Sequence, residues 1–167
     1  MNENYIAING KKAELVEEQL KAFGIEVETK RKNPFDEVIR FEDYYFVDRN
    51  NEVHASMKTD SSVDNQMYTS ANYFNDKAFA EQVALHQLLY RKLLKFAYDN
   101  GFEDTAEWDG ENAHWAIRYD DLRNEFCSYY QDGYKTRDVH FSSEEGAERA
   151  IEEVVKPFIK EHPEFVW

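Results

Sequence analysis

Apolar and polar positions alternate in short bursts along this chain, and each burst gives way to apolar residues at helical spacing. Tyr5, Ile6 and Ile8 form the first strand-like burst, and Asn9-Gly10 follows as a turn signal. Ala13, Val16, Leu20 and Phe23, with Leu15 beside them, then recur at helical spacing, and Gly24 stands where a left-handed C′ residue belongs. Ile25 and Val27 suit a brief strand, and Lys30-Arg31-Lys32-Asn33-Pro34 reads as the linker that closes this unit.

The second burst is Tyr44-Tyr45-Phe46-Val47, followed by turn chemistry at Asp48–Asn51. Val53, Ala55 and Met57 alternate with polar residues, which predicts a half-buried return strand. Residues 58–72 are polar and read as loop. A long helix is predicted over residues 75–100, capped by Asn75, stapled by Phe74 and Phe79, and ended by Asn100-Gly101.

An acidic stretch, Glu103 to Glu111, leads to the third burst, in which Trp115, Ile117 and Tyr119 alternate as a strand. After a turn at Asp120-Asp121, Phe126, Ser128 and Tyr130 line one strand face, with Cys127 and Tyr129 on the other. Val139 and Phe141 suit a further short strand. Ser142 with Glu145 reads as a capping box. The helix beyond it carries a stripe of Ala147, Ala150, Ile151, Val154, Val155, Phe158 and Ile159, and Pro157 predicts a kink or a restart inside it.

The second and third segments align at one offset: Phe74 with Phe141, Ala80 with Ala147, Glu81 with Glu148, Leu88 with Val155. Both read as hairpin, aromatic exit, polar cap and amphipathic helix. The expectation is an α+β fold: an N-terminal strand–helix unit (residues 1–33), a hairpin–helix unit (34–101), and an acidic second sheet–helix unit (102–167), with small antiparallel sheets packed on amphipathic helices. Leucines and aromatics spread around much of the helix 75–100, so it is expected at the centre of the fold, with a homodimer interface as the other arrangement.

Composition narrows the class. Aromatics make up 16% of the chain, enough for a core and unlike a disordered chain. A single cysteine, Cys127, excludes a disulfide within the chain and fits a reducing compartment. No apolar run approaches the roughly 20 residues of a membrane span, and the first residues lack the apolar core of a signal peptide. The expected location is therefore the cytoplasm. The net charge is −14, and residues 101–167 hold 17 acidic against 7 basic groups. A field of that sign repels phosphate backbones and attracts basic surfaces; it also keeps small proteins soluble.

Candidate chemistry is sparse. The five histidines show no i, i+4 metal pair and no second cysteine accompanies them. His140 and His86 read as structural, the latter partly buried, and Cys127 as a buried, inert thiol. There is no phosphate-cradling glycine loop and no serine elbow. Neither catalytic residues, nor a cofactor, nor a metal site is expected. Lys30-Arg31-Lys32 and Arg91, Lys92 and Lys95 are too few for tight nucleic-acid binding. The acidic groups stand out instead. Asp104 and Asp109 lie in the acidic stretch, and Glu144, Glu148 and Glu152, with Glu145 and Glu153, lie along the last helix. Negative charge at a helix start suits the helix dipole, but the same ribbon could occupy a basic nucleic-acid groove of another protein.

Several stretches together carry a resemblance: Ile8–Lys12 through Glu17–Leu20, Lys32–Phe35, Tyr44–Asp48, Asn72–Phe74, Phe141–Glu145 and Ala150–Glu152. The chain resembles small proteins encoded by phages and prophages of low-GC Gram-positive bacteria. The resemblance spans most of the chain but rests on caps and turns, and it carries over no catalytic residue. It implies a phage accessory protein, a setting where inhibitors of host defence are common. An anti-CRISPR-type inhibitor would use Asp104, Asp109, Glu144, Glu148 and Glu152 to compete with nucleic acid for a basic channel of a host protein. A self-associating scaffold or assembly protein is the alternative; an enzyme would need a deep pocket lined by perturbed acids or histidines.

Overall fold

The computed structural model describes residues 5–8, 11–14, 33–102, 114–133 and 135–167. The chain divides into two compact units, Met1–Asn33 and Pro34–Trp167. In the first, β1 (Tyr5–Ile8) pairs antiparallel with β2 (Lys11–Glu14), Ile8 opposite Lys11. Ala13 is therefore a strand residue and not the start of a helix. A two-residue Asn-Gly connection is a hairpin signal, and it fixes the residues after it as the return strand. Val16, Leu20, Phe23, Gly24, Ile25, Val27 and the basic run 30–32 lie outside the described residues.

The second unit is α+β, built from small two-stranded antiparallel sheets and helices. It opens with the hairpin β3 (Asp43–Val47) and β4 (Val53–Met57), Val47 opposite Val53. Asp48 holds the turn by accepting from the backbone N–H of Asn50 and of Glu52, both at 2.8 Å. Successive side chains of β3 point to opposite faces, and both faces are covered. Tyr45 and Val47 pack toward Phe74, Ala80 and Ala84, while Tyr44 and Phe46 pack with Val38, Tyr73 and Met67. β4 does not show the half-buried alternation expected of it. Ala55 and Met57 are exposed, because the strand runs past the end of the apolar cover that Val53 still meets.

Residues 58–72 are not all loop. Ser62–Thr69 form α1, capped by a reciprocal box in which the Ser61 side chain accepts from Asp64 N–H. Asp64 is buried and fully occupied. It accepts from Tyr44 Oη at 3.1 Å, Thr59 N–H at 2.8 Å, Thr59 Oγ1 at 3.1 Å and Ser61 N–H at 2.9 Å. These bonds hold its carboxyl well below the usual carboxylate range, the backbone donors at Ser61 and Thr59 doing most. Tyr44 stacks on Tyr73 with ring centroids 4.1 Å apart.

α2 spans Lys77–Asp99. Its cap is Asp76, which accepts from Phe79 N–H at 3.0 Å, and not Asn75, whose side chain donates to Asp36 O instead. Phe74 and Phe79 do meet, at 5.7 Å. Asn100 closes the helix and Gly101 follows at φ +81, the left-handed conformation glycine tolerates. The helix serves two cores in series. Ala80 and Ala84 pack on the first hairpin, and Leu85, Leu89, Leu93 and Ala97 pack with Ile117, Phe141 and the last helices.

β5 (His114–Asp120) and β6 (Glu125–Gln131) form the second hairpin, Ile117 opposite Ser128. Val139 and Phe141 do not form a separate strand; Phe141 alone bridges back to Trp115. The next cap is Ser143, one residue later than Ser142, and it accepts from Gly146 N–H at 3.1 Å. Glu145 therefore falls one position short of a capping box. α3 (Glu144–Ala150) widens into a π-helical turn, Ile151–Val155, and resumes as α4 (Lys156–Glu161). Lys156 N–H bonds Ile151 O, five residues back. Pro157 then sits in the first turn of α4, where its missing N–H costs little.

The two hairpin–helix segments share a set of matching features. Tyr45 bridges Phe74 as Trp115 bridges Phe141. The caps Asp76 and Ser143 keep the same offset, and four residues on, Ala80 and Ala147 are both fully buried. Alanine there lets the helix backbone lie close against the bridging phenylalanine and its hairpin.

Candidate functional site

The acidic residues of the last helical segment stand on an outward face because the opposite stripe (Ala147, Ala150, Ile151, Val155, Phe158) is buried. Glu144 and Glu145 occupy the first turn of α3, Glu148 the next, and Glu152 and Glu153 the π-helical turn. All five are exposed. Glu145, Glu148 and Glu152 line a groove of about 510 Å³ against β6, whose Glu125 adds a carboxylate from the opposite wall. Glu144 lies on the same helix one turn before Glu148 and outside the groove lining.

This surface is not uniformly free. Arg149 donates to Glu153 at 2.9 Å and also reaches Asn100 at 3.1 Å, and Lys156 pairs with Glu152. Among the described residues no lysine or arginine lies within ion-pair distance of Glu144, Glu145, Glu148 or Glu125 except Arg123, which reaches Glu125 at 3.9 Å. Glu152 is thus a neutralised member of the predicted set. Asp104 and Asp109 lie outside the described residues.

The corresponding helix start in the first hairpin–helix segment carries different charge. The positions of Glu144, Glu145 and Glu148 are held there by Lys77, Ala78 and Glu81, and Lys77 pairs with Glu81 at 3.1 Å. A matched Lys–Glu pair at one helix start has thus become a like-charge pair at the other. Glu152 corresponds to Leu85, which is buried in the core.

A second concavity lies between α2 and the β5–β6 hairpin, with a volume of about 680 Å³. Arg91 comes to it from α2, Arg118 from β5 and Arg137 from the segment after β6, beside Tyr90, Tyr129 and Trp167. No sequence cluster announces it, since the three arginines are far apart along the chain and only the hairpin's return over α2 gathers them. Tyr129 donates to Asp138 Oδ2 at 2.8 Å; burial, with that carboxylate second, pushes its phenol up to about 12.

The remaining candidates have local partners. His140 is buried, with Nε2 2.9 Å from Gln131 Oε1 and 3.3 Å from Thr136 Oγ1. His86 is exposed, not partly buried as its neighbours predicted, and lies against the Phe165 ring at 4.8 Å. Cys127 is half-buried, and Arg118 Nε donates to its sulfur at 3.5 Å. Asp48, Glu52 and His54 present ligand atoms within 4.8 Å of one another, but Asp48 is already engaged by the turn's backbone N–H groups. No helix among the described residues is long and apolar enough to cross a membrane. Comparison with protein-family models, curated proteins and solved structures finds no match for the chain.

Proposed function

We propose that this protein is a phage-encoded accessory binding protein without enzymatic activity, and that it inhibits a host defence protein by occupying its basic nucleic-acid groove. The docking surface is the start of α3, with Glu144, Glu145 and Glu148 at its centre. The observation that carries this reading is the charge difference between two equivalent helix starts. Like charges at i, i+4 cost a helix about 0.2–0.5 kcal/mol, and the segment around α2 shows that the same frame accepts a Lys–Glu pair. The helix dipole offsets that cost at α3, so the carboxylates are held at little expense and remain available to a cationic partner. The π-helical turn contributes less, because Lys156 and Arg149 already engage Glu152 and Glu153.

The test is competition. Tagged protein is used to capture partners from a lysate of a low-GC Gram-positive host, and the complex is challenged with double-stranded DNA and with salt. A nucleic-acid-binding partner released by both is expected, because exposed charge pairs are screened and shared sites exclude each other. A partner that stays bound under excess DNA contradicts the mechanism.

A further inference from the structure

We propose that the cleft between α2 and the β5–β6 hairpin is a binding site for a free nucleoside phosphate. The proposal is independent of the acidic face, which lies on the other helical segment.

Three features of the cleft point to an anion that carries a flat ring. First, its charge is opposite to that of the protein. In a chain with 34 acidic and 20 basic residues, a guanidinium usually finds a carboxylate. Yet none of Arg91, Arg118 and Arg137 has one within ion-pair distance among the described residues. Arg91 Nη2 donates to the Asn51 side chain at 2.6 Å, and Arg118 donates to the Cys127 sulfur and lies over the Tyr129 ring, 5.6 Å from its centroid, with Asp120 acting on it only from beyond ion-pair distance. The remaining guanidinium donors are available, and their planar fork matches phosphate oxygens.

Second, the single acidic side chain among the described lining residues is already partly satisfied. Asp138 Oδ2 accepts from Tyr129 Oη at 2.8 Å and from Thr136 Oγ1 at 2.7 Å. Its other oxygen remains an acceptor, which suits a sugar hydroxyl and not a phosphate. Third, aromatic rings edge the cleft. Tyr90 and Trp167 are 46% and 42% exposed, so part of each ring is open to a ligand. Trp167 is held at the rim by Phe126, 4.8 Å from it. Bases stack on such rings whatever their identity.

Size and field decide between a free nucleotide and a strand. About 680 Å³ lies within the range of roughly 300–1,000 Å³ typical of small-ligand sites. A polyanionic strand would extend beyond the three arginines into the field of a protein of net charge −14, whereas a ligand with one to three phosphates would not.

The full chain is titrated by calorimetry with AMP, ATP, adenosine, inorganic pyrophosphate and a short deoxythymidine oligomer. AMP or ATP should bind in the micromolar range, with adenosine and pyrophosphate each about tenfold weaker or worse, as the loss of a charge-assisted contact or of a stacked ring dictates. Arg118→Ala and Arg137→Ala should each weaken binding about tenfold or more. Both side chains are exposed, and unchanged melting of the variants shows that the fold survives. Trp167→Leu should weaken the nucleotides and leave pyrophosphate unaffected. The proposal is overturned if neither nucleotide binds below the millimolar range, if the arginine variants bind as the wild type does, or if pyrophosphate binds as tightly as ATP. An oligomer that binds more tightly than ATP overturns the free-nucleotide assignment. Glu144→Lys should bind nucleotide normally, which separates failure at this cleft from failure of the acidic face.

Discussion

Beneath the first strand bridge lie Tyr44 and Tyr73, stacked and buried; at the same two positions of the second bridge lie His114 and His140, their rings 6.1 Å apart. Around these pairs the frame is shared: a two-stranded hairpin, a bridging phenylalanine, a side-chain cap, and a buried alanine four residues later. What differs is what each segment adds. The first inserts α1 and nails it with Asp64. The second replaces a Lys–Glu pair with glutamates, and breaks its helix with a π-helical turn before Pro157. The comparison teaches that packing at the bridge, the cap and the alanine defines the segment. The inner pair and the outer helix face are where the two segments differ in residue type.

The strongest way to break that comparison is to remove the bridging rings. Phe74→Ala and Phe141→Ala should each cost about 3–5 kcal/mol. Because α2 contributes to both cores, each variant should lower the melting of the whole unit Pro34–Trp167 in one transition. Two separated transitions in calorimetry would show that the segments fold independently.

Next come the caps. Asp76→Ala and Ser143→Ala should each cost about 1 kcal/mol in denaturant unfolding, and Ser142→Ala clearly less. Ser142 Oγ donates to Gly101 O at 3.1 Å, so only a loss at Ser142 exceeding that at Ser143 would shift the helix start back by one residue and undo the match between the caps.

The acid response sharpens the contrast further. Asp64 has a folded-state pKa depressed by its donors. Its contribution to stability is therefore present above the unfolded carboxylate value of about 3.9 and is lost as pH falls toward the folded value. The stability gap between wild type and Asp64→Asn should narrow below about pH 4, as followed by chemical unfolding across pH. A gap that stays constant would mean that the carboxylate charge is not what holds α1.

Much of this frame is legible in the sequence, for physical reasons. The burst Tyr44–Val47 is rich in strand-forming residues, Trp115–Tyr119 carries period two, and the stripe from Ala147 to Ile159 carries the helical period. The common offset of Phe74 and Phe141 exposes the repeat. Caps are legible to within a residue, because Asn75 and Asp76, or Ser142 and Ser143, are chemically near-equivalent and only backbone geometry selects one. α1 is hidden by its polarity. Its stability comes from Tyr44 and the Ser61–Asp64 box rather than an apolar stripe, although Ser-x-x-Asp was a readable signal. Glu148 and its neighbours were legible as acidic residues, but their pairing was not. That Glu152 meets Lys156 while Glu144 meets no cation among the described residues depends on rotamers and on the widened turn. The arginine cleft was illegible, since its members come from three elements.

The smallest expected change in stability belongs to the variant that tests the account most directly. Glu144→Lys installs at α3 the Lys–Glu pair that α2 already has, gaining a side-chain pair and losing a favourable dipole contact, each worth a few tenths of a kcal/mol, so stability should move by less than about 0.5 kcal/mol. Capture of the DNA-displaceable partner should nevertheless collapse, while Lys77→Glu, the mirror change on α2, should leave it intact. Capture that survives Glu144→Lys, or that Lys77→Glu alters equally, would contradict the claim that the start of α3 is the docking surface.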